Sequence, residues 1–260
     1  MYLEPSWWTK LMDAAVTDGV ATLPLDWRVF DDAPPLVAGE VQLVARDIDD
    51  DRAVETDQTL LNDAETARAA RLKIDRHRRR WIAGRALLKR LLGHYAGVDA
   101  TDIRLGYGDI GKPYLKFPEA TGIQFNYTDS GGCLIYAFSR NIEVGIDLEA
   151  LPRGVRYALI APRKMTKTEQ RAFEQIPEHL KEYAFLACWT RKESYGKALG
   201  VGIRYPMNEV TLCEDYSNAI HAINDEANGC HTLMQIKPPF DGIACLTVKS
   251  EFVCVNAFEI

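Results

Sequence analysis

The chain has 260 residues, 47% of them hydrophobic and 26% charged, and its formal net charge is −6. That is enough apolar content for one large domain or two smaller halves with their own cores, and the acidic balance argues against general nucleic-acid binding through a basic surface, though not against a local basic groove. The six cysteines (Cys133, Cys188, Cys213, Cys230, Cys245 and Cys254) are scattered, with no C-x-x-C pair and no histidine at metal-ligand spacing, and they read as reduced thiols. The start, Met1-Tyr2-Leu3-Glu4-Pro5, lacks a basic region followed by an apolar stretch, and no segment is apolar over the length of a bilayer. The expectation is a cytoplasmic protein without a membrane partner.

Residues 1–35 carry Trp7, Trp8, Trp27 and Phe30 among acids and prolines, and Pro34-Pro35 closes the segment. This predicts an appended arm whose aromatics anchor it to the main body. From Leu36 to Arg46 the residues alternate, with Val41, Leu43 and Ala45 on one face, which predicts a strand ended by the acidic turn Asp47-Ile48-Asp49-Asp50-Asp51. Two helices follow. Asn62-Asp63 caps the first with Glu65 in its opening turns, and the second runs from about Asp75 to Tyr95 with an apolar stripe of Trp81, Ile82, Leu87, Leu88, Leu91 and Leu92. Arg71, Lys73, Arg76, His77, Arg78, Arg79 and Arg80 crowd the start of this second helix. They read either as a solvated face or as one local anion site in an otherwise acidic chain.

Short strands are expected around Ile103-Arg104-Leu105 and after Gly111-Lys112-Pro113, a tight turn from which the lysine projects. Phe125 to Gly132 leads through Thr128-Asp129-Ser130 and a glycine turn into a strand from Cys133 to Phe138, either a plain hairpin or a place where backbone N–H groups meet an anion. Next comes Val144-Gly145-Ile146-Asp147-Leu148-Glu149, a strand on which Val144, Ile146 and Leu148 point one way and Asp147 and Glu149 the other. Carboxylates two residues apart on a strand lie roughly 6 to 7 Å from each other. They belong either to a solvated sheet face or to a hard-cation site.

Arg153, Arg156, Arg163 and Lys164 are expected in a loop or irregular stretch, and Thr166-Lys167-Thr168-Glu169 has the form of a capping box. A long helix is predicted from Glu178 to Leu199, with Trp189, Glu193 and Lys197 on one face. The Glu–Lys spacing also suits an ordinary surface pair, but Phe185, Leu186 and Cys188 predict a helix buried on several sides, where such a pair needs a reason. Beyond it, Val210–Cys213, Thr232–Ile236, Ile243–Val248 and Glu251–Phe258 predict a C-terminal antiparallel sheet.

Gly145-Ile146-Asp147-Leu148-Glu149 and, about forty residues on, Trp189-Thr190-Arg191-Lys192-Glu193-Ser194-Tyr195-Gly196-Lys197 together resemble the paired motifs of the Sfp-type 4′-phosphopantetheinyl transferases. Gly111-Lys112-Pro113, Phe125-Asn126 and the basic helix leading to Gly84-Arg85 add weaker support; residues 1–35 match nothing in that family. The resemblance implies an α/β (α+β) fold of two similar, pseudo-twofold-related halves, each a small, mainly antiparallel sheet packed with helices, with the ligand cleft between them. On this chain the halves would be residues 36–141 and 142–260, preceded by an N-terminal extension, 1–35.

It implies further that coenzyme A is the substrate, Mg2+ the cofactor and an apo acyl or peptidyl carrier protein the acceptor, with the enzyme acting as a single chain. Asp147, Glu149 and Glu193 would hold the metal; Glu193 and Lys197 would be catalytic. Arg68, Arg80, Lys112, Pro113, Thr128, Asp147 and Lys197 would contact coenzyme A. One departure stands out: the family's Ser-His-Ser is Thr128-Asp129-Ser130 here, and an acid at that position repels a phosphate unless it turns away or a nearby cation neutralises it. Two other functions fit the same residues, a non-catalytic coenzyme A-binding protein and a Mg2+-dependent phosphohydrolase. For the carrier protein, Arg153, Arg156 and Arg163 are a candidate docking patch.

Overall fold

The computed structural model describes residues 15–17, 20–48, 57–251 and 253–260; Trp7, Trp8 and the acidic run Asp49–Asp51 lie outside them. Two sheets pack face to face, and helices cover their outer sides. The first sheet runs in the order β3 (Trp27–Val29), β13 (Cys254–Glu259), β4 (Glu40–Asp47), β8 (Cys133–Arg140), β7 (Ile123–Ser130). The second runs β1 (Ala15–Thr17), β2 (Val20–Pro24), β11 (Gly229–Lys237), β12 (Gly242–Val248), β9 (Val144–Ala150), with β10 (Ile220–Asp225) also on β11. A separate hairpin joins β5 (Arg104–Tyr107) to β6 (Pro113–Phe117).

The alternation of each strand sorts its side chains into layers. Val41, Leu43 and Ala45 of β4, with Ile135 and Ala137 of β8, meet Val144, Ile146 and Leu148 of β9 and Ala244, Leu246 and Val248 of β12 in one buried cluster between the sheets. On the outer side of the first sheet, Val44, Phe125, Leu134, Tyr136 and Phe138 pack on Leu87, Leu88, Leu91, Leu92 and Tyr95 of α2 (Asp75–Ala96). On the outer side of the second, Ile243 and Cys245 pack with residues of α5 (Lys181–Ala198). The protein is thus a mixed α/β fold with a helix–sheet–sheet–helix section. No described helix is long and apolar enough to cross a membrane.

Local chemistry sets the helix ends. Asn62 and Glu65 form a reciprocal capping box at α1 (Asp63–Ala70), and Thr166 and Glu169 form another at α4 (Lys167–Glu174). Gly97, at φ +69°, ends α2 in the left-handed conformation that favours glycine. Three expectations change. Arg163 and Lys164 lie not in a loop but in the last turn of α3 (Tyr157–Lys164), where cations face the negative end of the helix dipole. Val210–Cys213 is not a strand, because the Leu212 and Cys213 N–H groups donate to the buried Glu169 carboxylate, at 2.7 and 3.1 Å, instead of to a ladder.

The last strand also departs from the C-terminal antiparallel sheet, since β13 crosses to the first sheet and lies parallel to both β4 and β3. Alternation says which face of a strand is buried, not which sheet receives it. The segment before residue 36 behaves in the same way: β2 joins the second sheet and β3 the first, while Trp27 packs against the inter-sheet core and donates its indole N–H to the Lys237 carbonyl.

Candidate functional site

The site forms where β9 leans on α5. Gly145 makes that approach possible, since a Cβ there would stand 2.0 Å from the Ser194 carbonyl oxygen. With Val144, Ile146 and Leu148 committed to the inter-sheet core, Asp147 and Glu149 turn to the helix side, only 7% and 8% exposed. From Ala184 to Ala198, α5 is buried at every position except Trp189, Glu193 and Lys197, which are half-buried. These three, four residues apart, line the one open edge of the helix, on the face that the spacing predicts.

Lys197 ties the two elements together. Its amine sits 2.7 Å from Asp147 Oδ1 and donates to the Ile146 carbonyl at 3.0 Å. Thr128 donates to Asp147 Oδ1 at 3.4 Å, and the other oxygen, Oδ2, is buried with no hydrogen-bond partner among the described residues. Glu149 pairs with Arg153 at 2.9 Å and accepts a bond from Ser130 at 3.2 Å.

The electrostatics link the three acids. Burial pushes the Asp147 carboxyl above the usual range, opposed by Lys197 and Thr128. Burial raises Glu149 as well, with Arg153 opposing and the Asp147 charge adding to the rise. Glu193 is raised by burial and then by Asp147, against Lys197 and Lys164. Each therefore lies within the field of another, although among the described residues no three acidic, histidine or cysteine side chains are gathered as a ready metal cage.

β7 closes the other side. Its even-numbered residues reach across to the edge of β9: Asn126 accepts the Ile146 N–H at 3.0 Å and Ser130 accepts the Ala150 N–H at 3.1 Å. The two sheets are thus joined at this edge by side chains rather than by a ladder. Thr128-Asp129-Ser130 is strand, with the turn at Gly131-Gly132. The sequence signal for this joint was present in the alternation of Asn126, Thr128 and Ser130, polar groups on one strand face.

Two cavities, of about 300 and 270 Å³, border on Tyr127. The smaller takes in Lys112, Pro113, Asn126 and Lys197. Gly111, at φ +84°, makes the expected turn, but the Lys112 amine does not project: it reaches the Ala198 and Val144 carbonyls, at 3.2 and 3.4 Å. Burial lowers it, with Glu143 opposing. The larger cavity holds Arg80, His77 and Asp129, and Arg80 donates to the Gly131 carbonyl at 3.0 Å. Arg68 lies over the Trp81 ring, 5.5 Å from its centre. Of the expected cofactor contacts, Lys112, Pro113 and Lys197 thus line the smaller cavity and Arg80 the larger, with Tyr127 on both, while Arg68, Thr128 and Asp147 line neither. Arg85 and Trp81, which sequence reasoning gave no ligand role, line the larger one.

Fold and site together define a mixed α/β protein with a cleft of buried acids and lysines. Residues 143–248, the stretch that carries both acid-bearing motifs, match the family model of the 4′-phosphopantetheinyl transferase superfamily. It is 37% identical over 145 residues to 4′-phosphopantetheinyl transferase HetI of Nostoc sp., covering 55% of this chain and 61% of that protein. It is 29% identical over 141 residues to 4′-phosphopantetheinyl transferase Sfp of Bacillus subtilis, covering 54% of this chain and 59% of the relative. To the mouse L-aminoadipate-semialdehyde dehydrogenase-phosphopantetheinyl transferase it is 27% identical over 138 residues, 50% of this chain and 45% of the relative. The matches to HetI and Sfp thus span about three fifths of those proteins.

Proposed function

We propose that the protein transfers the 4′-phosphopantetheine arm of coenzyme A to a serine hydroxyl of an apo acyl or peptidyl carrier protein, releasing adenosine 3′,5′-bisphosphate. The observation that carries this reading is the Lys197–Asp147 contact, with Glu193 one helical turn away on the only open edge of α5. Phosphoryl transfer asks an enzyme chiefly for positioning and charge neutralisation, and acids beside lysines in a half-buried cleft supply both.

The donor set fits a hard divalent ion in its chemistry: oxygen ligands only, one of them, Asp147 Oδ2, buried and unpartnered. Asp147, Glu149 and Glu193 would hold Mg2+, which when bound would offset charge on the pyrophosphate oxygens. Glu193, on the open edge of α5, would be the base for the incoming serine proton. Lys197 neutralises the departing phosphate. Lys112, Pro113 and Thr128 border the path of the pyrophosphate, and Arg80 with Arg68 receives the phosphorylated nucleoside end. Residues 36–141 and 142–260 would be the two halves that flank the ligand, with β13 of the second span adding a strand to the sheet of the first. A cytoplasmic site of action agrees with the six cysteines, none of which is in a disulfide.

The test is incubation with coenzyme A, Mg2+ and a panel of apo carrier proteins, followed by intact-mass measurement. Gain of the arm by a carrier supports the transferase reading. Adenosine bisphosphate without carrier modification would make the protein a phosphohydrolase, and coenzyme A binding without turnover would make it a non-catalytic binder. Asp147→Ala should abolish the mass gain with its circular dichroism spectrum unchanged.

A further inference from the structure

Both acids of β9 are held by one oxygen. Asp147 Oδ1 takes the Lys197 amine at 2.7 Å and the Thr128 hydroxyl at 3.4 Å, while Oδ2 is buried with no partner among the described residues. Glu149 repeats the arrangement with other side chains: Arg153 Nε, at 2.9 Å, and the Ser130 hydroxyl, at 3.2 Å, both fall on Oε2. In each case the hydroxyl comes from β7, while the cation comes from α5 for Asp147 and from the loop after β9 for Glu149.

Ser130 is the fixed point of the second pair. The residue is only 5% exposed, and its hydroxyl accepts the Ala150 N–H at 3.1 Å and Arg153 Nη1 at 3.0 Å. A serine hydroxyl has two acceptor sites and one proton, so with both sites filled the proton goes to Glu149. Ser130 thus grips the backbone and the carboxylate of the same strand end, and it seats the guanidinium that closes on the same carboxylate oxygen. An oxygen that carries an O–H and a guanidinium N–H is committed, which leaves Oε1 as the ligand atom of Glu149.

The number of oxygens a carboxylate can offer discriminates between hard cations. Mg2+ is small, demands near-octahedral geometry and takes few protein oxygens, whereas Ca2+ takes more ligands in a looser shell and readily binds both oxygens of one carboxylate. We propose that Ser130, with Arg153, is a specificity-determining positioning residue: by holding Oε2 it confines Glu149 to ligation through a single oxygen and so favours Mg2+ over Ca2+. This rests on the Mg2+ reading above.

Displacement of Mn2+ by Mg2+ and by Ca2+, followed through the electron paramagnetic resonance signal of free Mn2+, tests the assignment without turnover. Ser130→Ala should move the ratio of Mg2+ to Ca2+ affinity about tenfold toward Ca2+, within the range for loss of a hydrogen-bond partner of a metal ligand, and Ser130→Thr, which keeps the hydroxyl, should restore the wild-type ratio. Ser130→Ala also orphans the Ala150 N–H. That loss alone would weaken both ions together, and an unchanged ratio would overturn the proposal. Arg153→Met, at a side chain 45% exposed, leaves the Ala150 bond in place and should move the ratio in the same direction. If Ser130→Ala fails to fold, this variant decides, and a wild-type ratio in it refutes the proposal. A wild type that binds no Mn2+, or an Asp147→Ala variant that binds it as tightly, would sink the metal reading and this assignment with it. Carrier proteins left unmodified while the ratio shifts as expected would sink only the transferase reading.

Discussion

Replacing Gly145 by alanine puts the geometry of the cleft under direct strain. The new Cβ would lie 2.0 Å from the Ser194 carbonyl oxygen and 2.4 Å from the Ala198 nitrogen, where 3.4 Å is ordinary contact. Helix and strand must therefore separate by about 1.4 Å at this point, and both colliding atoms are backbone, so no rotamer relieves the clash. Overpacking of this kind costs about 1 to 3 kcal/mol. The functional effect should be larger than the loss of stability suggests, because Glu193 and Lys197 ride on α5 while Asp147 sits on β9, and a displacement of about 1 Å in reacting groups costs on the order of a hundredfold in rate. Urea denaturation gives the first quantity and the initial rate of carrier modification under folded conditions the second. A Gly145→Ala variant with wild-type rate would show that the spacing between strand and helix does not set the chemistry.

Glu169→Gln should destabilise the fold by about 3 to 5 kcal/mol in chemical denaturation, because it leaves Lys192, 1% exposed and 2.8 Å from the Glu169 carboxylate, as an uncompensated buried charge; a loss below about 1 kcal/mol would refute this. Asn126→Ala should cost about 1 to 3 kcal/mol by orphaning the Ile146 N–H, whereas Asn126→Asp keeps an acceptor and should cost less; equal losses would argue against the side-chain joint between the sheets. Burial pushes the Cys245 thiol up to about 12, so at pH 8.5 it stays protonated and should resist iodoacetamide in the native protein and react only after unfolding, as peptide mass spectrometry can check.

Much of the site was legible because its signals are local. The two-residue period of Val144 to Glu149 placed three side chains in the core and two carboxylates on the opposite face, and the four-residue spacing of Trp189, Glu193 and Lys197 put them on one helical edge. The capping box at Thr166 and Glu169 and the cap at Asn62 followed from residues close in sequence. Features that depend on distant partners were not legible. The strand pattern at Glu251–Phe258 could not reveal that β13 lies beside β4, nor could Val210–Cys213 reveal that a glutamate about forty residues earlier takes its amide groups. Lys112 misled in the same way: a glycine turn predicts a projecting amine, but carbonyls of β9 and α5 capture it. The family resemblance supplied the pairing of strand and helix that periodicity alone cannot give.

The account depends on Asp147, Glu149 and Glu193 acting together on one divalent ion, and the rate of carrier modification as a function of Mg2+ concentration, for the wild type and Glu193→Gln, tests this most directly. The wild-type rate should rise with Mg2+ to saturation and fall to background in a chelator, and the variant should stay at background at every concentration while remaining folded. A wild-type rate indifferent to the chelator, or a variant that modifies the carrier at near wild-type speed, would contradict it.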